Sequence, residues 1–487
     1  MPRRYAAARF GLITLCAFVP SLAGLDGGTA MAQTGAQTGQ EAAADVPAMP
    51  PPTHVLTLNA AERAAISSQP QLLVARAATA TALAQADQAR APLLPQVTAT
   101  AEYERVGGIE ALSYQTGKIG TTSAGGVGGT APMAPPSTSG TTNQSFGQIV
   151  STSTDVWLLE LSASQLIYDF GQTYEKLKAA DLNANALSLT ERSTLLTTML
   201  NVRSAYFNAR AMKELVGVAR ETLDDQDKHL VQVQGQVTVG TQPQIALAQQ
   251  TAAVANAKVS LITAQNNYEV SKSQLNQAAG LTTGTDYDVG NEELAPLDDE
   301  DQPLTTLAPK AIAARPEMAS FVKQREAQEA TLRSARGGYG PQFSAAAAAL
   351  EAGTDSGLSP GWSAALILSW PIFQGGLTKG QIRQAEAGIQ NVDAQRALEE
   401  LQIRLGVDSA RLAVHAAKAT IGAANDALTS SREQLRLAEQ RFATGVGDII
   451  ELNDAQVAYT SAAAQVVQAH FNLATARAQL LAAMGRP

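Results

Sequence analysis

Residues 407–442 read VDSARLAVHAAKATIGAANDALTSSREQLRLAEQRF. Val407, Val414, Ile421, Leu428, Leu435 and Phe442 recur at every seventh position, and three residues on stand the small residues Ala410, Ala417, Ala424 and Ala438. A seven-residue apolar repeat marks a helix that packs in a left-handed coiled coil, and small residues on the second seam position let helices approach closely. The same phrase occurs earlier. Val202, Ala209, Val216, Leu223, Leu230 and Val237 keep the spacing, followed by Ala205, Met212, Ala219 and Val233. The stretch from Thr173 to Val237 holds no proline and predicts a helix on the order of 100 Å long.

The repeat extends outward from these helices. Gly240 recurs as Gly445, Gln274-Leu275 as Gln479-Leu480, and Gly280 as Gly485, all 205 apart. Upstream, Gln69-Pro70-Gln71 returns as Arg315-Pro316-Glu317 and Pro95-Gln96 as Pro341-Gln342, 246 apart. The chain is written twice. The difference of 41 places an insertion in the first copy, and residues 107–154, rich in Gly, Ser, Thr and Pro, read as an exposed loop. The matching loop of the second copy is expected at about 352–361. Within the insertion, GGVGGT at 125–130 lacks the Lys-Ser/Thr of a phosphate-binding loop.

Each copy then reads helix, strand, loop, strand, long helix, turn, helix. Strands are expected at about 96–105, 155–168, 342–351 and 362–373. Val97, Ala99, Ala101 and Tyr103 alternate with Thr98, Thr100, Glu102 and Glu104; Trp157, Leu159, Leu161 and Ala163 lie opposite Glu160, Ser162 and Ser164. Trp362, Ala364, Leu366, Leu368 and Trp370 share a face of the last strand. Period-2 segments of this length, apolar on one face and ending in aromatics, suit a membrane β-barrel. Four strands cannot close a barrel, and open edges are forbidden in lipid, so the chain needs partners. The flanking helices, about 303–335 and 448–484, are half as long as the central ones.

Composition excludes other classes. The 487 residues carry a net charge of −9 with 16% charged and 5% aromatic side chains, and no Lys/Arg cluster that would hold a nucleic acid. One cysteine and four scattered histidines, His54, His229, His415 and His470, offer no metal spacing, and no nucleophile–base motif appears, so neither enzyme activity nor a cofactor is expected. Arg3, Arg4 and Arg9, an apolar run from Phe10 to Ala23 and Ala30-Met31-Ala32 describe a signal peptide over 1–32, followed by a flexible segment over 33–52. The first repeat then spans 53–281 and the second 303–487. The acidic segment 282–302 between them reads as a solvated linker.

The duplication, the Arg336-to-Gln342 approach to a strand, and Gly445-Val446-Gly447-Asp448-Ile449-Ile450-Glu451-Leu452-Asn453-Asp454-Ala455-Gln456 together resemble the TolC family of outer-membrane channels. The resemblance implies a mainly α fold with a small transmembrane β part. Three chains would join four strands each into a 12-stranded β-barrel, with long antiparallel coiled-coil helices forming an α-barrel across the periplasm and 282–302 near its equator. It implies a homotrimer in the outer membrane, contacting its lipids through Trp157, Trp362, Trp370 and Tyr103. A periplasmic adaptor would be its partner, linking it to an inner-membrane transporter. The function implied is efflux of small molecules, with type I protein secretion as the alternative; an adaptor or a trimeric adhesin would lack the duplication.

Gly240, Gly445, Gly447 and Asp448 fall in the turns that the family places at the periplasmic tip. Asp448 and Glu451 have the spacing of a capping box. By resemblance, Glu451 and Asp454 face the narrowed mouth and would form two acidic rings; the matching positions in the first copy are Ala246 and Gln249. Gly447 stands where some members have an arginine that ties the closed tip, and Ala246 where they have its acidic partner. The closed state is therefore expected to rest more on coiled-coil packing than on salt links.

Overall fold

The computed structural model describes residues 54–106, 154–282, 284–354 and 357–486, all within the unit 48–487. The expected signal peptide, segment 33–52 and the loop up to residue 153 lie outside the described residues. Two helices dominate: α3, Gln172–Thr238, and α7, Leu377–Ala443, each of 67 residues. At 1.5 Å per residue each spans about 100 Å. Both begin after a glycine in the left-handed region, Gly171 (φ 80°) and Gly376 (φ 86°), where a side chain would be strained.

Packing sustains this length. Around α3 lie α2 (Pro70–Arg90), α4 (Gln244–Ala279), α6 (Pro316–Gly337) and α8 (Ile449–Ala483); α7 packs on α6 and α8. Val202, Ala209, Val216 and Leu223 are buried on α3, as are Val407, Val414, Leu435 and Phe442 on α7 with Ala410, Ala417, Ala424 and Ala438. Further along α3 the seam drifts: Leu230 and Val237 are only half-buried, while Gln226, His229 and Val233 are buried. Here α3 meets α4, α7 and α8 together, through Gln226–Gln250, His229–Glu439 and Thr222–Thr460, and this wider contact buries a residue off the seven-residue stripe.

The helix expected over 303–335 is two helices, α5 (Leu304–Ala314) and α6. Arg315 between them is extended (φ −73°, ψ 129°), because Pro316 crowds the residue before it out of the helical region. Gln69 before Pro70 makes the same break between α1 (Leu58–Ser68) and α2. The ends of α4 and α8 seat on these breaks. A Cβ on Gly280 would lie 2.8 Å from Gln69 Cα, and one on Gly485 3.1 Å from Arg315 Cγ.

The acidic segment is not a solvated linker. β4 (Tyr287–Val289) pairs in parallel with β1 (His54–Leu56). Asp299 and Glu300 are buried. Arg477 Nε of α8 lies 3.0 Å and Lys418 Nζ of α7 2.8 Å from Glu300, while Arg486 lies 2.7 Å from Asp299. Lys213 of α3 holds Asp288 at 2.7 Å. Cations from three long helices thus draw the run of acids inward. Burial alone would raise the pKa of Glu300; hydrogen bonds from Arg477 and Lys418 outweigh it and hold the carboxyl down at about 2.

The sheet runs β2 (Gln96–Val106), β3 (Thr154–Tyr168), β5 (Gln342–Thr354), β6 (Gly357–Ser369), antiparallel throughout. The loop expected at 352–361 is mostly strand, since pairing continues to Thr354↔Gly357, and β6 ends at Ser369 rather than 373. Pro360 lies three rungs from the Thr354↔Gly357 end of the β5–β6 pairing, opposite Glu351. One face carries Val97, Leu159, Leu161, Leu366 and Leu368, with Trp362 83% and Leu366 81% exposed. The other carries Thr100, Glu160, Ser162 and Ser363. From the Phe343 rung to the Gly353 rung the strand runs roughly 33 Å, giving a band about 25 Å tall at the tilt of a membrane barrel. Tyr103 and Trp157 pair at one end, ring centroids 4.7 Å apart, and Trp370 stands just past the other. Trp362 sits between them, on the rung of Leu161 and Ala349. Among the described residues no helix is long and apolar enough to cross a membrane.

Candidate functional site at the helical turns

The turn from α3 to α4 pivots on Gly240 (φ 78°), and the turn from α7 to α8 on Gly445 (φ 75°). Both left-handed residues end a helix and let the following amides return to the last carbonyls: Thr241 N donates to Gln236 O, and Val446 N and Gly447 N to Arg441 O. The two turns lie at the same end of the molecule. Gln236 Nε2 donates to Phe442 O at 3.4 Å, and Val233, Ala246, Leu435, Phe442, Ile449 and Leu452 share one core.

Gly447 serves closeness rather than a left-handed backbone. A Cβ there would lie 2.9 Å from Phe442 N and 3.0 Å from the Arg441 carbonyl carbon. Gly447→Ala should therefore open the turn and cost on the order of 1–3 kcal/mol. Thermal unfolding of the purified protein checks this, and an unchanged midpoint would show that the turn yields freely.

The capping box is not formed. Asp448 takes the extended N-cap conformation (φ −99°, ψ 152°), yet its side chain makes no capping bond, and Glu451 turns instead to Arg441, whose Nε lies 3.4 Å away. The guanidinium on the last turn of α7 offers a full charge, which a carboxylate prefers to one backbone amide. The hairpin thus carries a salt link after all, supplied from Arg441 rather than from position 447. Both side chains are about half exposed, so the link adds little stability.

Asp454 is exposed and borders a groove of about 690 Å³ between α4 and α8, floored by α3, with Thr222, Gln249 and Asn453 along it. Gln249, its counterpart in the first copy, lies on the same groove. Ala246, the counterpart of Glu451, is only 1% exposed and packed in the shared core. An acid at 246 would be buried without water, so the first hairpin cannot present a counterpart of Glu451. Sequence reasoning missed Arg441 and a buried polar layer one or two turns further in: Gln226, His229, Gln250 and Gln456. Its signal was present, since Gln226 and Ser431 interrupt the small-residue seam at positions 205 apart.

A duplicated strand–helix–hairpin plan, an apolar sheet face of membrane height and helices of about 100 Å define an outer-membrane channel subunit, reaching from the outer membrane into the periplasm. Residues 63–281 and 307–486 match the family described as outer membrane efflux protein, and the chain belongs to that family. It is 23% identical over 444 residues to outer membrane protein TolC of Escherichia coli, covering 86% of this chain and 80% of TolC. With the toluene efflux pump outer membrane protein TtgF of Pseudomonas putida it shares 25% over 344 residues, 67% of this chain and 68% of TtgF. The crystal structure of VceC from Vibrio cholerae superposes with a TM-score of 0.69 at 17% identity, covering 88% of this chain and 96% of VceC. Membership makes the chain a channel protein rather than an enzyme.

Proposed function

We propose that three copies of this chain form the exit duct of a tripartite efflux pump that carries small molecules out of the cell. The observation that supports it most is the four-stranded sheet, apolar on one face, whose edges β2 and β6 are unpaired within the chain. Lipid offers no partner for edge amides and carbonyls. Pairing β6 of one copy with β2 of the next in threes closes twelve strands. The helices then surround a continuous conduit, and the hairpin turns form its periplasmic mouth. There Glu451 and Asp454 of three chains make two acidic rings that favour cations. A periplasmic adaptor would grip the helical end and join it to an inner-membrane transporter.

Cross-linking in native outer membranes should return trimers; monomers alone would overturn the assembly. Efflux is favoured over protein secretion by Glu451-Leu452-x-Asp454-Ala455-Gln456, which is similar to efflux members, and by the toluene efflux role in the name of TtgF. Deleting the gene should sensitise cells to small toxic compounds and leave secreted proteins unchanged. Loss of a secreted protein without sensitisation would move the duct to type I secretion.

A further inference from the structure

Eleven residues before Gly240, His229 of α3 is 6% exposed, and its Nε2 is buried without a hydrogen bond of good geometry. The amide of Gln456 on α8, 1% exposed, lies beside the ring, near enough to favour its charged form but with neither amide atom in a well-formed bond. On α7, Glu439 Oε1 stands 3.8 Å from Nε2. On α4, Gln250 donates to Gln226 O at 2.9 Å and to Gln226 Oε1 at 2.6 Å, leaving its own Oε1 unpaired. Four helices from both hairpins therefore meet in a polar layer whose hydrogen-bonding capacity is only partly used. Such a layer packs less favourably than an apolar one and gains from admitting water.

We propose that His229 is a proton-operated latch between the two hairpins, neutral while they are packed together and drawing them apart when protonated. The inference rests on the reading of the turns as the mouth of the duct. The charges acting on the ring are Glu439 from α7 and Asp225 and Lys228 from α3 itself; α8 and α4 contribute the amides Gln456 and Gln250. Burial lowers the proton affinity of His229 and outweighs the opposing pull of Glu439 and Asp225. In a parted state water restores the ordinary value of about 6.5. A base that binds its proton better when exposed shifts the balance toward exposure as pH falls. With the packed form neutral, the parted-to-packed ratio of each chain rises up to about tenfold by pH 5.5. Above pH 7.5 the ring is neutral in both states and the latch is silent.

The test is the open fraction of the full-length wild-type assembly in planar lipid bilayers at pH 7.5, 6.5 and 5.5 on the periplasmic side. A several-fold rise on acidification is expected. H229Q keeps a polar side chain of similar reach but gains no charge, and should be flat. E439Q removes a charge that favours protonation of the packed ring, so it should keep or enlarge the response without moving its onset. E451A/D454A should retain the response, which separates the latch from the acidic rings. Thr222 and Thr460 hydroxyls lie 3.0 Å apart across α3 and α8, so T222C/T460C can tether the hairpins with His229 intact. Oxidised, this variant should lose the pH response; reduced, it should regain it. A flat wild type, a persisting response in H229Q, or one in the oxidised tether would overturn the latch and leave the duct standing. Absence of conductance at every pH would overturn both.

Discussion

Replacing Glu300 by Ala should destabilise the protein by about 3 kcal/mol at neutral pH, the lower end of what breaking a buried ion pair costs. The carboxylate is the shared acceptor of Arg477 and Lys418, and only 5% of its side chain is exposed, so water replaces little of what is lost. Lys418 retains Asp301 and Arg477 retains the Leu294 carbonyl, which keeps the loss from being larger. The same two cations hold the carboxyl down at about 2 instead of 4.5, against the upward push of burial. A depressed acid contributes fully above its unfolded value. That contribution should therefore fade as pH falls from 4.5 through 2 in the wild type, and should be missing from the variant at every pH. Chemical denaturation across this pH range reads both effects. A variant with the wild-type midpoint at pH 7 would show that Arg477 and Lys418 do not depend on Glu300.

Replacing Glu451 and Asp454 together by Ala should change conduction far more than folding. Asp454 is exposed, and the Arg441–Glu451 pair is half exposed and worth at most about 1 kcal/mol. Trimer yield should stay near wild type. Single-channel currents of the wild type should be cation-selective and blocked by multivalent cations from the periplasmic side. In the variant, selectivity should fall and block should weaken by tenfold or more, since losing about 1.4 kcal/mol of attraction suffices for tenfold. A double variant that conducts and blocks like wild type would place the constriction elsewhere.

The long helices were legible because a heptad written twice over more than 35 residues leaves little choice of structure. The strands were legible because lipid on one side enforces alternation. Their ends were less so: β5 and β6 run through a stretch of small residues that reads as loop, and only cross-strand pairing makes it strand. The break at Arg315 was encoded in Pro316, but a periodic pattern on both sides masked it. At the turns the glycines were readable from local backbone need. Arg441 was not, because its pairing with Glu451 depends on how a tight turn folds back, which spacing along one helix cannot show. His229 sits off the heptad positions and is buried because helices from both hairpins close on that side of α3, which spacing along one helix does not reveal.

The order β2-β3-β5-β6 also bears on how the protein reaches its membrane. One copy has two bare edge strands. Joining a second copy pairs one edge of each, yet the resulting eight-stranded ribbon again has two. Only the third removes both at once. Partial assemblies of any size therefore still present two bare edges to lipid, and biogenesis should be all-or-none: the helical parts associate in water, and insertion waits for the copy that completes the ring.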